Sequence, residues 1–289
     1  MALIRVSAYA KINLFLAVGE LRPDGFHDVL TVMRRTSLCD EVEVETVADG
    51  RGEITLTATG DEKIPTDSDN IAYRAAEKYL SFAGITDSVS ISIEKNIPVG
   101  AGLGGGSADA AATLRALERI YGALSKEKIL DIALSLGSDV PFCIFGWTAI
   151  CEGRGEVITP ITDKQTMHLV IAMNGGKVLA SEAYRLLDKT RGEMSCDIDK
   201  GNEYLPVLLK YLSNEGEMPT TLYNSFEFAL GEAEDKVRCL KQKMKECGAS
   251  LTLMSGSGPS VFGIFPDFDS AERCTKALRD EGIRAYYSK

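Results

Sequence analysis

The sequence predicts an α+β protein built from two domains. Three observations carry this expectation. Alternating apolar segments dominate the first hundred residues, a Gly-rich stretch opens into an Ala-rich helix, and the C-terminal end reads strand, turn, strand, helix, strand. At 289 residues two domains are the better expectation, and the chain is long enough to hold a core without disulfides or a structural metal.

Residues 41–47 alternate charge with Val, Asp49-Gly50-Arg51-Gly52 turns the chain, and 53–59 alternate again through Ile54, Leu56 and Ala58. That pattern predicts a β-hairpin. Asp69-Asn70 opens a helix with Ile71, Ala75, Tyr79 and Ala83 at helical spacing, stopped by Gly84. A strand over 88–94 leads into the glycine stretch. Helices follow over 107–121 and 125–136, the second capped by Ser125 and ended by Gly137, and then strands over 148–152 and 156–160. A domain boundary near Asp163 divides the chain into 1–162 and 163–289. The second part reads as a strand over 167–173, a short helix from Ser181, and one or two helices between Gly201 and Cys247. It closes with a strand over 250–254, the turn Ser255-Gly256-Ser257-Gly258-Pro259, a strand over 260–265, a helix over 270–280 and a strand over 283–288. This is the element order of a ferredoxin-like α+β domain.

Lys and Arg total 32 against 42 Asp and Glu, a net charge of −10. Such a balance repels nucleic acid and anionic membranes, so phosphate-bearing ligands must be held locally by backbone amides and a few placed cations. The 7 Cys are scattered without a C-x-x-C pair, and the 2 His are His27 and His168. No metal cage is expected, and the thiols fit a reducing cytoplasm. Residues 1–18 alternate polar and apolar and include Lys11, unlike a signal-peptide core, and no stretch approaches a membrane span.

The segment Ile97-Pro98-Val99-Gly100-Ala101-Gly102-Leu103-Gly104-Gly105-Gly106-Ser107 carries the clearest chemical signal. Gly100, Gly102 and Gly105 satisfy G-x-G-x-x-G, yet a second helix follows the first, giving βαα where a dinucleotide site needs βαβ. No Lys-Ser or Lys-Thr follows as in a P-loop, and no H-R-D or D-F-G marks a protein kinase. What remains is physical. Glycines let the backbone come close to a ligand, and the helix that follows offers unpaired N–H groups and a positive dipole end. A flexible surface loop is the ordinary alternative, but the direct run into an Ala-rich helix favours a di- or triphosphate cradle.

Pro98-x-Gly100-x-Gly102-Leu103-Gly104-Gly105-Gly106-Ser107-Ala108 resembles the phosphate-binding motif of the GHMP kinases, the superfamily of galactokinase, homoserine kinase, mevalonate kinase and phosphomevalonate kinase. Ala8-Tyr9-Ala10-Lys11-Ile12-Asn13-Leu14, Arg22-Pro23-Asp24-Gly25-Phe26-His27 and Leu136-Gly137-Ser138-Asp139-Val140-Pro141-Phe142 are similar to the motifs of its branch acting on a diphosphocytidyl methylerythritol alcohol in non-mevalonate isoprenoid synthesis. Gly256-Ser257-Gly258-Pro259-Ser260 fits the third superfamily motif, so the resemblance spans nearly the whole chain. It implies an N-terminal domain like ribosomal protein S5 domain 2, a C-terminal ferredoxin-like domain, and an active site in the cleft between them. It also implies ATP with Mg²⁺ for which no protein ligand stands out, Ser107 being the nearest candidate. The partner expected is a small cytidyl diphosphate substrate, with neither nucleic acid nor membrane, for a cytoplasmic monomer or weak homodimer.

The resemblance makes Lys11 and Asp139 the reacting pair, Asp139 as base or orienting carboxylate and Lys11 as the charge beside it. Their ordinary alternatives are a solvent-facing strand Lys and a turn-forming Asp. ATP contacts would come from Asn70, Lys95 and the segment Pro98, Val99, Gly100, Ala101, Gly102, Leu103, Gly104, Gly105, Gly106, Ser107 and Ala108; a helix cap and a surface charge are the plainer readings of Asn70 and Lys95. Substrate contacts would come from Asn13, Phe26, His27, Asp139, Ser181 and Tyr184. In that reading Phe26 stacks on cytosine where the family commonly has Tyr, His27 reads the base edge, and Tyr184 is a second stacking ring; an aromatic staple and a core tyrosine are the alternatives. A homoserine or mevalonate kinase, a catalytically silent nucleotide sensor and a dinucleotide oxidoreductase are the competing functions. The base-reading loop, the intact Lys11 and Asp139, and the βαα order weigh against them in turn.

Overall fold

The computed structural model describes residues 1–176, 178–191 and 197–289. The chain forms β1 (Ala2–Leu21), β2 (His27–Val47), β3 (Ile54–Gly60), α1 (Ile71–Ala83), β4 (Ser88–Lys95), α2 (Gly105–Tyr121), α3 (Lys126–Leu136), α4 (Val140–Phe145), β5 (Ala149–Glu152) and β6 (Val157–Pro160). It continues with β7 (His168–Met173), α5 (Ala180–Arg191), α6 (Lys200–Leu212), α7 (Glu234–Glu246), β8 (Leu251–Met254), β9 (Val261–Phe265), α8 (Phe268–Asp280) and β10 (Arg284–Ser288). Two compact units result, and they do not follow chain order. The first comprises Met1–Lys11, Leu38–Val99 and Gly104–Gly146, the second Ile12–Ser37, Gly100–Leu103 and Trp147–Lys289. Both β1 and β2 thus contribute residues to each unit.

In the first unit β4 lies between β3 and β2, parallel to one and antiparallel to the other, with Ile91 opposite both Leu56 and Val44. The expected hairpin of 41–47 with 53–59 is therefore not formed. Alternation gives each strand its buried face but does not choose its partner. Here β4 is the strand that satisfies both edges, with Val89, Ile91 and Ile93 buried on the inner face. The turn residues serve β4 as well: Gly52 N–H donates to Thr86 O at 2.8 Å, and the Ser88 hydroxyl donates to Asp49 Oδ1 at 2.8 Å. The parallel β3–β4 pair needs a long crossover, and α1 supplies it.

Helix α1 begins at the cap Asn70, whose Oδ1 accepts the Ala72 N–H at 2.9 Å, and ends at Gly84. Helix α2 packs on the same core through Ala108, Ala111 and Ala112, small residues that allow close approach to Ala72, Ala75 and Ala76 of α1. Tyr79 Oη donates to Glu118 Oε2 at 2.6 Å and ties the two helices. Helix α4, begun by Asp139 with Pro141 in its first turn, is an element that periodicity did not reveal, because six residues are too few to display a helical repeat.

In the second unit the sheet order is β10-β7-β9-β8, all pairs antiparallel. Numbered within this four-stranded sheet, that is 4-1-3-2, the ferredoxin-like order the element sequence predicted. The core gathers Val170 and Ala172 of β7, Val237, Leu240 and Met244 of α7, and Cys274 and Leu278 of α8. Helix α5 runs 12 residues, longer than the short helix expected. The glycine stretch 100–103 belongs to this unit. Ser260 N–H donates to Ala101 O at 3.3 Å, Ser255 Oγ donates to Gly102 O at 3.1 Å, and Val178 N–H donates to Gly100 O at 3.3 Å.

Gly102 sits at φ 76°, and a Cβ there would collide with Ser255 O and lie 3.0 Å from Gly258 N. Gly106, inside α2, has only Ile71 at ordinary contact distance, 3.6 Å. Gly102→Ala is expected to cost at least about 2 kcal/mol through left-handed strain plus the clash, whereas Gly106→Ala should gain about 0.5 kcal/mol. Thermal denaturation of ligand-free protein compares the two. Equal melting temperatures would mean that the 100–103 segment is not seated on the β8–β9 turn.

Candidate active site

The first unit gathers one set of residues at the N-terminus of α2. Gly104 occupies the cap position at φ 69° and gives the helix no side-chain cap. The amides of Gly105, Gly106 and Ser107 therefore begin the helix without intrahelical acceptors, at its positive dipole end. Gly104, Gly105 and Ser107 are partly exposed and Gly106 is exposed, while Pro98 and Ala108 are buried on either side. A Cβ on Gly104 would stand 3.1 Å from Lys11 Cγ and 3.7 Å from Asp139 Oδ2. The absence of that carbon is what lets Lys11 and Asp139 lie beside the helix end.

Lys11, nearly buried on β1, places Nζ 3.4 Å from Asp139 Oδ2, and the Asp139 side chain retains 30% exposure. Asp139 occupies the cap position of α4 but makes no side-chain cap hydrogen bond. Its carboxylate is thus directed to Lys11 and not spent on a local turn. Gly137, just before it, brings the loop to Ser107: a Cβ there would lie 4.0 Å from Ser107 Oγ. A carboxylate, a cation and a row of free amides in one place can orient an alcohol, hold phosphate oxygens and offset charge that develops during transfer.

Asn70 and Lys95 are both buried. Asn70 caps α1 and its Nδ2 donates to Pro65 O at 2.8 Å. Lys95, read from sequence as a flanking cation, is buried between Asp40 and Asp109. For Lys95 burial opposes the charge, but the two carboxylates outweigh it and hold the pKa above its ordinary value.

The second unit holds the other residues expected to contact an acceptor. Asn13 Nδ2 donates to Thr31 Oγ1 at 2.9 Å, and the Thr31 hydroxyl in turn donates to Phe15 O at 2.5 Å. His27 is buried, with Nε2 2.9 Å from Asp188 Oδ1 and its ring stacked on Tyr184 at 4.9 Å and 18°. Tyr184 in turn meets Phe226 edge-on at 4.9 Å. His27 and Tyr184, distant in sequence, are thus brought together, with Ser181 exposed one turn earlier on α5. Phe26 keeps 44% exposure and carries the Arg154 guanidinium 3.5 Å over its ring. The turn below is fixed by the Phe26 N–H donating to Asp24 Oδ1 at 3.2 Å, a bond that, with Arg22 nearby, holds the Asp24 carboxyl below its usual range.

Four charged residues in these constellations escaped the sequence reading: Asp40, Asp109, Arg154 and Asp188. Two left a signal. Asp109 is a lone charge in the Ala-rich run of α2, and Asp188 lies four residues after Tyr184, the spacing that shares a helix face. Asp40 and Arg154 lie in segments whose partners are distant in sequence, and nothing local marks them.

Residues 70–147 match the family described as GHMP kinases N terminal domain, and residues 208–284 the family described as GHMP kinases C terminal. A protein of Geobacter metallireducens named 4-diphosphocytidyl-2-C-methyl-D-erythritol kinase is 37% identical over 279 residues, covering 96% of this chain and 95% of its own. One of the same name from Alkaliphilus metalliredigens is 38% identical over 282 residues, covering 96% and 93%. A crystal structure titled 4-(cytidine 5'-diphospho)-2C-methyl-D-erythritol kinase superposes with a TM-score of 0.80 at 34% identity, covering 99% of this chain and 98% of that one. Homoserine kinase from Cytophaga hutchinsonii shares the fold, with a TM-score of 0.76 at 20% identity and coverage of 100% and 95%. The shared fold, the two family matches and the near full-length relatives agree: the chain belongs to the GHMP kinases, in the family of the 4-diphosphocytidyl-2-C-methyl-D-erythritol kinases.

Proposed function

We propose that this chain transfers the γ-phosphoryl group of ATP to the 2-hydroxyl of 4-diphosphocytidyl-2-C-methyl-D-erythritol, giving the 2-phosphate and ADP in the non-mevalonate route to isoprenoid precursors. The observation that carries the reading is Lys11 and Asp139, 3.4 Å apart beside Gly104 at the open end of α2. The alcohol oxygen forms the new bond to phosphorus while the bond from the γ-phosphorus to the bridging oxygen of ADP breaks. Asp139 receives the hydroxyl hydrogen, as base or as orienting acceptor, and both roles require a charged carboxylate within reach of the alcohol. Lys11 keeps that carboxylate in place and offsets charge on the transferred group. The amides of Gly105, Gly106 and Ser107 receive phosphate oxygens, with Pro98, Val99, Gly100, Ala101, Gly102, Leu103, Gly104 and Ala108 shaping the segment. Asn70 and Lys95 serve the nucleotide side from behind, as helix cap and buried cation.

In this reading residues 1–162 are the ATP-binding domain and 163–289 the C-terminal domain, a division supported by the two family matches falling within those bounds. Asn13, Phe26, His27, Ser181 and Tyr184 take the acceptor. Arg154 covers one face of Phe26, which leaves the other for the cytosine ring, and the His27–Asp188 pair fixes the imidazole for reading a polar edge. Mg²⁺ would travel on the ATP phosphates and supply charge neutralisation there. Among the described residues no group of three or more His, Cys, Asp or Glu is placed to hold a metal ion, and no step is assigned to one. No described helix is long and apolar enough to cross a membrane, and the free thiols fit a cytoplasmic setting.

Two outcomes test the reading. Asp139→Asn keeps the shape and removes the charge, and turnover should fall by about a hundredfold or more while the KM values move little. Turnover near wild type would make Asp139 structural. Phe26→Ala should lose roughly ten- to hundredfold in kcat/KM for the cytidyl acceptor, the equivalent of about 1–3 kcal/mol of stacking. A uridyl acceptor, which presents a carbonyl where cytidine has an amine, should be a poor substrate for wild type. If wild type used cytidyl, uridyl and base-free acceptors equally well, the 22–27 loop would not read a base.

A further inference from the structure

Three ionisable side chains lie buried beneath the start of α2. Lys95, the last residue of β4, donates from Nζ to Asp40 Oδ2 and, at 2.7 Å, to Asp109 Oδ2. The side chains retain 3%, 0% and 3% exposure for Lys95, Asp40 and Asp109. Asp40 uses its other oxygen on the chain entering the glycine segment: Oδ1 accepts the N–H of Asn96 at 2.5 Å and of Ile97 at 2.8 Å. Asp109 Oδ1 is buried with no hydrogen-bond partner. A buried ionic group of this kind is a poor source of stability, since a well-packed apolar trio often does as well or better. Its placement offers a better account of it.

The trio joins the three pieces of backbone that shape the candidate phosphate site. These are the end of β4, the amides of residues 96–97, and the first turns of α2, where Asp109 follows Gly105, Gly106 and Ser107. A Cβ on Gly105 would stand 3.0 Å from Ile97 Cγ2 and 3.5 Å from Lys95 Nζ, so the helix end rests directly on the buried cation and on the residue Asp40 holds. Burial pushes the Asp109 carboxyl up, to about 8, against the pull of Lys95.

We propose that Asp40, Lys95 and Asp109 are positioning residues for ATP: without touching the nucleotide, they fix the open end of α2 against β4 and so set nucleotide affinity. This rests on the kinase reading above. It gives Lys95 an indirect role, with its charge already committed to two carboxylates.

The test combines a readout that needs no ATP with one that does. In ligand-free Asp109→Ala, amide hydrogen exchange at residues 96–108 should rise by about tenfold or more while α3 is unchanged. The KM for ATP should rise about tenfold, with kcat at saturating ATP and the KM for the acceptor within about threefold of wild type. Asp109→Asn keeps the side-chain shape and an oxygen acceptor for Lys95 Nζ, so it should return both readouts to within about threefold of wild type. Should Asp109→Ala not fold, Lys95→Gln, which keeps a donor, is expected to give the same split at smaller size. Unchanged exchange at 96–108 would overturn the proposal whatever the enzyme's substrate. So would unchanged ATP affinity in a folded variant, or losses spread equally over both substrates and the whole unit. Wild type that failed to bind ATP would instead sink the kinase reading, and the role of the trio in ATP affinity with it.

Discussion

The arrangement depends on one constraint: a helix must begin, uncapped by any side chain, within contact of a Lys–Asp pair. Gly104 meets it. Its left-handed backbone starts α2 with the amides unspent, and its missing side chain leaves room for Lys11 and Asp139 to stand 3.4 Å apart alongside. The other two long helices of the first unit have starts closed by side chains, Asn70 on α1 and Ser125 on α3. Capping is worth roughly 1 kcal/mol to a helix. Forgoing it at α2 leaves donors available where the proposed function puts an anion, while α2 is packed closely against α1.

Much of the site was legible in the sequence because its parts are local. The glycine stretch, the cap at Asn70 and the Leu136–Phe142 segment each declare themselves within a dozen residues. What did not declare itself is pairing across distance. Alternation in 41–47 and 53–59 predicted strands correctly and their partner wrongly, because β4 lies more than thirty residues on and takes the edge of both. Lys95 reads most plainly from sequence as a surface charge. It is buried because Asp40 and Asp109 come from β2 and α2 to meet it. His27 and Tyr184 are likewise joined only by the fold. The α+β class and the ferredoxin-like order survive because they depend on the succession of elements and not on any one pairing.

The second unit carries a different kind of order. Its candidate acceptor residues are held by aromatic and charged neighbours: His27 by Tyr184 and Asp188, Phe26 by Arg154 above and the Asp24 turn below. Rings fixed in this way lose little freedom when a ligand ring arrives, which lowers the entropic cost of recognition. The glycine segment is anchored in the same unit through Ser255 and Ser260, so the chain enters α2 from a backbone already tethered at Ala101 and Gly102.

The place of β4 between β3 and β2 also bears on how the chain comes to be folded. No hairpin between the two earlier strands is available to form first, so the central pairing must wait for a strand that arrives after α1. During synthesis from the N-terminus, β2 and β3 keep their β4-facing edges open until residue 95 has emerged. Contacts between remote segments form slowly, and open edges are where nascent chains associate with one another. The same topology that sets Lys95 under the helix end makes the first unit dependent on shielding of its early strands.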